Sequence, residues 1–186
     1  MKLLIMGPPG VGKGTQAKII KDKLQIAHIS TGELLRQEIA EKTEVGKVAK
    51  KYIDQGKLVP DNFLFTIVNE RLGQPDCRDG YILDGFPRTL NQANGLEKIT
   101  GSFNHSLDRA ISLYADEDAL VERLVKRGEN SGRSDDTSNI IRNRQKIYWQ
   151  QTAPLLDFYE ERGLLDNVNG LGEIKEITER ILTIIR

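Results

Sequence analysis

Apolar residues in the first thirty positions follow two different spacings. Leu3, Leu4, Ile5 and Met6 form an unbroken apolar run cut off at Gly7, the pattern of a strand buried on both faces. From Lys13 to Leu24 the spacing is helical, and residues 27–30 (Ala-His-Ile-Ser) read as a second short strand. Helical spacing returns over 33–39, where Ser30 or Thr31 can cap the helix, and over 45–55, which ends at Gly56 as a C′ residue. Asp61 is expected to cap the next helix, whose apolar face is Phe63, Leu64, Ile67, Val68 and Leu72. A third strand is predicted over 80–84, then a helix over 89–99, a strand over 107–114 and, capped by Asp116, a helix over 118–126. A polar turn should fill 128–134. Asp135 or Asp136 then opens a long helix through Tyr159, bent at Pro154, which lacks an N–H and crowds the preceding turn. A fifth strand over 164–168 and a helix over 173–185 complete the chain.

Strands alternating with helices call for an α/β fold, a five-stranded parallel sheet with helices on both faces. Between the second and third strands lie more helices than one crossover needs, which sets residues 30–59 apart as a small helical subdomain. At 186 residues the chain is one domain with a substantial core.

Chemistry enters with the loop that follows the first strand. Gly7-Pro-Pro-Gly-Val-Gly-Lys-Gly-Thr15, set between a strand and a helix, has the context of a P-loop. Its backbone N–H groups can curl around phosphate oxygens at a helix N-terminus, with Lys13 as a mobile charge and Thr15 as a phosphate or metal ligand. The general motif places Ser or Thr directly after the lysine, whereas here Gly14 intervenes. Asp84 ends the third strand where a metal-holding acid would sit beside such a loop, and Arg88 follows four residues on. Arg123 and Arg127 share one side of a helix. Arg133 lies in the polar turn, and Arg144 shares a face with Ile140 and Ile147, a costly place for a cation that has no anion to meet.

Composition narrows the partners. Lys plus Arg equals Asp plus Glu, 27 each, so bulk charge gives no reason to expect nucleic-acid or membrane binding. The single cysteine, Cys77, has no disulfide partner, and with His28 and His105 it does not make a zinc site. The apolar start is too short for a signal peptide and no stretch reaches transmembrane length, so the expectation is a cytoplasmic protein. Near-zero charge and the lack of an apolar surface stripe favour a monomer.

Taken in order, Gly7 to Gln16, Ser30-Thr-Gly-Glu-Leu-Leu-Arg36, Asp84-Gly-Phe-Pro-Arg-Thr89, Gln92, Gly132-Arg-Ser-Asp-Asp136 and Thr152-Ala-Pro-Leu-Leu156 resemble adenylate kinase over essentially the whole chain. The extra glycine before Thr15 is the form that family uses. The resemblance implies a P-loop NTPase-type core (1–29, 60–127 and 138–186), a nucleoside-monophosphate-binding subdomain (30–59) and a short lid (128–137), with five residues between Arg127 and Arg133 in place of an inserted domain.

It also implies roles. Gly10, Val11, Gly12, Lys13, Gly14 and Thr15, with Arg123 and Arg127, would hold ATP. Thr31, Gly32, Arg36, Lys57, Val59, Gly85, Arg88 and Gln92 would hold AMP, together with Arg133 and Arg144. Lys13, Arg88, Arg123, Arg133 and Arg144 would be catalytic, and Asp84 would anchor Mg²⁺ through water. The reaction would be Mg²⁺-dependent, reversible transfer of a phosphoryl group from ATP to AMP, giving two ADP. A UMP/CMP kinase of the same fold is the alternative, but Thr31, Thr89 and Gln92 favour adenine. A GTP-binding switch would need a guanine-reading Asn-Lys-x-Asp, which the chain lacks.

Overall fold

The computed structural model describes residues 1–131 and 133–185. Five strands, β1 (Lys2–Met6), β2 (Ala27–Ser30), β3 (Tyr81–Asp84), β4 (Arg109–Tyr114) and β5 (Leu165–Asn169), form one parallel sheet in the order β2-β3-β1-β4-β5. Alternate residues of each strand feed two cores. Leu4, Met6, Tyr81, Leu83 and Ile29 lie on one face beneath α2 (Thr31–Ala40), α3 (Glu44–Ile53), α4 (Asp61–Leu72), α5 (Leu90–Ser102) and α8 (Leu155–Glu160). Leu3, Ile5, Ile82, Ile111 and Leu113 face the other way, against α1 (Lys13–Leu24), α6 (Glu117–Ser131) and α9 (Ile174–Ile184). Burial on both faces is why these strands read as continuous apolar runs.

The register puts the site chemistry at one edge. Ile5 pairs with Asp84 and Ser30 also pairs with Asp84, so the P-loop, Asp84 and the start of α2 emerge side by side at the carboxyl ends of the strands. Ser30 is the N-cap of α2, its Oγ accepting from Glu33 N, and Gly56 (φ 65°) closes the end of α3 with Lys57 N donating to Tyr52 O at 2.9 Å.

Several boundaries differ from expectation. Asp61 is the first residue of α4 and not its cap; its carboxylate accepts instead from Asn91 Nδ2 (2.5 Å) and Gln92 Nε2 (2.7 Å) on α5. The helix expected to end at Lys126 runs on to Ser131, so the polar turn is shorter than 128–134; Gly132 lies outside the described residues. Neither Asp135 nor Asp136 caps the long helix: α7 (Ser138–Ile147) begins after Thr137, because both carboxylates are engaged by arginines. The bend precedes Pro154, with a π-helical turn over Tyr148–Thr152 leading into α8.

Candidate active site

A cleft of about 410 Å³ opens at the carboxyl edge of the sheet. Its floor is the P-loop. Gly10 has φ 90° and approaches α6 so closely that a Cβ would stand 2.7 Å from Leu120 O, which leaves glycine as the residue that fits. Gln145 on α7 braces the loop from above, its Nε2 donating to Pro9 O (3.1 Å). Lys13 folds back over the loop and donates to Gly7 O (2.7 Å) and Pro8 O (3.0 Å). Burial pulls its ammonium down to about 7, with Asp84 opposing and Arg88, Arg144 and Arg127 adding to the fall. A lysine so placed has more to gain from a phosphate than one in open water.

Gly14 turns its bare Cα toward Asp84, where a Cβ would lie 3.3 Å from Oδ2. Burial raises the Asp84 pKa, but His28, Lys13 and Arg88 outweigh it and hold the carboxyl below its usual range. His28 Nε2 lies 3.6 Å from Asp84 Oδ2, an electrostatic neighbour beyond hydrogen-bond reach.

Cations line the walls. Arg88 Nε donates to Gly85 O (2.7 Å), while Thr152 Oγ1 fixes the Arg88 carbonyl (2.9 Å). Arg88 and Arg36 are both pulled below the usual arginine range, by burial first and then by neighbouring guanidinium groups, Arg144 on Arg88 and Arg133 on Arg36. Arg123 Nη1 donates to Gly170 O (3.1 Å). Arg127 grips Asp136 with two bonds of 2.7 Å, and Arg144 Nη1 bonds Asp136 Oδ1 (2.7 Å) beside Asp135.

Of the residues singled out from sequence, Gly10, Gly12 to Thr15, Thr31, Gly32, Arg36, Lys57, Val59, Asp84, Gly85, Arg88, Arg123, Arg127, Arg133 and Arg144 all line this cleft. Val11 and Gln92 do not. Val11 is fully buried beneath the loop, its N–H donating to Pro8 O (3.3 Å). Gln92 is also fully buried, Oε1 accepting from Arg88 N (2.7 Å) and Nε2 donating to Asp61. Asp135 and Asp136 read from sequence as the opening of a helix, and their role as anchors of Arg127 and Arg144, eight or more residues away, carried no local signal.

Asp84, the carboxylate that ends β3 beside the P-loop, bears on metal binding. Among the described residues no group of three or more acidic, His or Cys side chains could cage a metal. Asp84 with phosphate oxygens and water fits Mg²⁺, which keeps much of its hydration shell.

A P-loop under a ring of arginines, at the carboxyl edge of a parallel sheet, defines a P-loop NTPase-type phosphotransferase. A family model described as adenylate kinase matches residues 5–164. Relatives named adenylate kinase include those of Stenotrophomonas maltophilia (48% identical over 186 residues, covering 100% of both chains) and Nocardia farcinica (46% over 182 residues, 98% of this chain and 97% of the relative). Another, from Bifidobacterium longum, is 48% identical over 183 residues, 98% of each chain. The chain belongs to the adenylate kinase family, whose members are phosphotransferases; the UMP/CMP kinase alternative is not favoured. Among the described residues no helix is long and apolar enough to cross a membrane.

Proposed function

We propose that this protein catalyses reversible, Mg²⁺-dependent phosphoryl transfer from ATP to AMP, by direct in-line attack of the AMP α-phosphate on the γ-phosphorus. The observation that carries this is the P-loop, Asp84 and seven converging cations (Lys13, Arg36, Arg88, Arg123, Arg127, Arg133 and Arg144) in one cleft. Gly10 and Gly12 to Thr15 cradle the triphosphate, and Arg123 and Arg127 stand on the donor side. Thr31, Gly32, Arg36, Lys57, Val59, Gly85 and Arg88 receive AMP, with Gln92 behind Arg88. Asp84 would hold Mg²⁺, which would supply charge neutralisation for the phosphates.

The attacking oxygen of AMP is ionised at neutral pH, so the mechanism calls for no general base. Lys13 follows the migrating group, and Arg88, Arg123, Arg133 and Arg144 match charge on its equatorial oxygens. Residues 30–59 act as the AMP-binding subdomain and 128–137 as a short lid. Lid closure is a known gating motion of such kinases. We place the enzyme in the cytoplasm, as a monomer serving adenine-nucleotide balance.

The test measures ADP formation from Mg·ATP with AMP, CMP, UMP or GMP as acceptor. Rapid turnover with AMP alone is expected. Preference for CMP or UMP would overturn the acceptor assignment while leaving the chemistry in place.

A further inference from the structure

We infer that Arg180, on the outer side of α9, is a positioning residue for the donor half of the site, acting through the loop between β5 and α9; this rests on the donor-side role proposed for Arg123. Arg180 Nη1 donates to two carbonyls of that loop, Asn169 O (2.9 Å) and Leu171 O (2.6 Å). Between them, Gly170 O accepts from Arg123 Nη1 (3.1 Å), and Arg123 lines the cleft. A cation outside the site therefore grips both neighbours of the carbonyl that holds a cation inside it.

The loop has no slack at that point. Gly170 N donates to Tyr114 O (2.8 Å), and Leu171 N donates to the Asn169 side chain (2.9 Å). A Cβ on Gly170 would stand 2.7 Å from the side chain of Val11, so the loop rests on the P-loop itself. Glu173 and Glu176 close a capping box at the start of α9, fixing where the helix, and so Arg180, begins. Glu176 is only a distant ion-pair partner of Arg180 (3.7 Å), which leaves the two carbonyls as the main polar contacts of this guanidinium. With both carbonyls engaged from outside, the Gly170 carbonyl is held at one angle and Arg123 is presented to the cleft in one pose. Without Arg180 the Asn169 and Leu171 carbonyls lose their outer partner, the Gly170 peptide is held by Tyr114 and the Asn169 side chain alone, and the nucleotide has to supply part of the ordering of Arg123.

Steady-state kinetics would be run with ATP and AMP varied separately on Arg180→Ala, Arg180→Lys, Arg123→Ala and the Arg180→Ala/Arg123→Ala double variant. Arg180→Ala should raise KM for ATP about three- to tenfold, the scale of one or two lost hydrogen bonds. KM for AMP should stay within about twofold, because no acceptor-side contact passes through this loop, and kcat should fall by no more than Arg123→Ala lowers it, because any loss is routed through Arg123. Arg180→Lys should restore most of the loss, since one ammonium can donate to both carbonyls. In the Arg123→Ala background, Arg180→Ala should add nothing. An unmoved KM for ATP, parallel rises for both nucleotides, or effects that multiply with Arg123→Ala would each overturn the inference. Should Arg123→Ala itself leave KM for ATP at the parent value, the donor-side reading falls first and this inference with it.

Discussion

Asp136 offers the sharpest test of how the cations in the cleft are held. Its side chain is 0% exposed, and three charge-assisted bonds of 2.7 Å reach it from Arg127 and Arg144. Asp136→Asn keeps the volume but removes the charge, and it turns one acceptor into a donor that faces guanidinium N–H groups. Breaking a buried pair in this way costs about 3–5 kcal/mol. Arg127 is 33% exposed and can recover hydration, so solvent screening discounts this to about 2–3 kcal/mol. For a chain of this size that lowers Tm by about 4–12 °C. The carboxyl is held below its usual range: burial raises it, and Arg127 and Arg144 outweigh burial. A depressed folded pKa contributes stability that is complete above the unfolded value near ~4 and fades as pH falls through the folded one. The gap between parent and variant, measured by calorimetry without nucleotide, should therefore be flat from about pH 5 to 8 and shrink only below about pH 4. Saturating ATP should narrow it, because phosphates then answer Arg144. A loss under about 0.5 kcal/mol would refute the view that Asp136 holds this pair.

Three further outcomes follow from the same geometry. Arg88→Ala and Arg144→Ala should each lower kcat on the order of 10³-fold while melting stays cooperative; a full-rate variant would remove that arginine from the transition state. Burial pulls Lys13 down to about 7, so ATP binding at pH 8 should be accompanied by net proton uptake and weaken as pH rises further. Titration calorimetry in buffers of different ionisation enthalpy reads that uptake, and a value near zero would contradict the burial of the ammonium. Cys77 is fully buried and its thiol is pushed up to about 11, mainly by burial, so it should resist thiol reagents at pH 8 until the protein unfolds.

Much of this was legible in the sequence because it depends on local spacing. Leu3 to Met6 read as a strand covered on both faces, and the glycine-rich loop with Lys13 read as an anion cradle, each from spacing within a few residues. What the sequence did not disclose depends on contacts between distant elements. Asp135 and Asp136 looked like helix caps because capping is a local rule, but two arginines from different helices compete for them and win. Asp61 was lost to the same competition, drawn to α5 thirty residues away. Gln92 shows the converse. Family resemblance assigns it to the acceptor base, yet both ends of its amide are occupied, tying Arg88 to α4. Reading a base would require Gln92 to exchange a bond with Asp61 for one with AMP.

Whole-chain charge was the least informative quantity, and the reason is instructive. The protein is neutral in sum, yet its cleft is lined by nine lysines and arginines against three carboxylates, Glu33, Asp84 and Asp135. That local excess of cationic side chains is offset by acids elsewhere in the chain, and it has the sign that phosphate anions require. Cationic walls around a low-dielectric cleft focus the field outward and draw anions in, even from a neutral protein. The on-rate of a fluorescent ATP analogue should accordingly fall steeply between about 20 and 300 mM salt, as the screening length shrinks toward the width of the cleft mouth. Its off-rate, governed by bonds inside, should change far less. A salt-independent on-rate would mean that the surrounding acids cancel the cleft's field before a nucleotide can sense it.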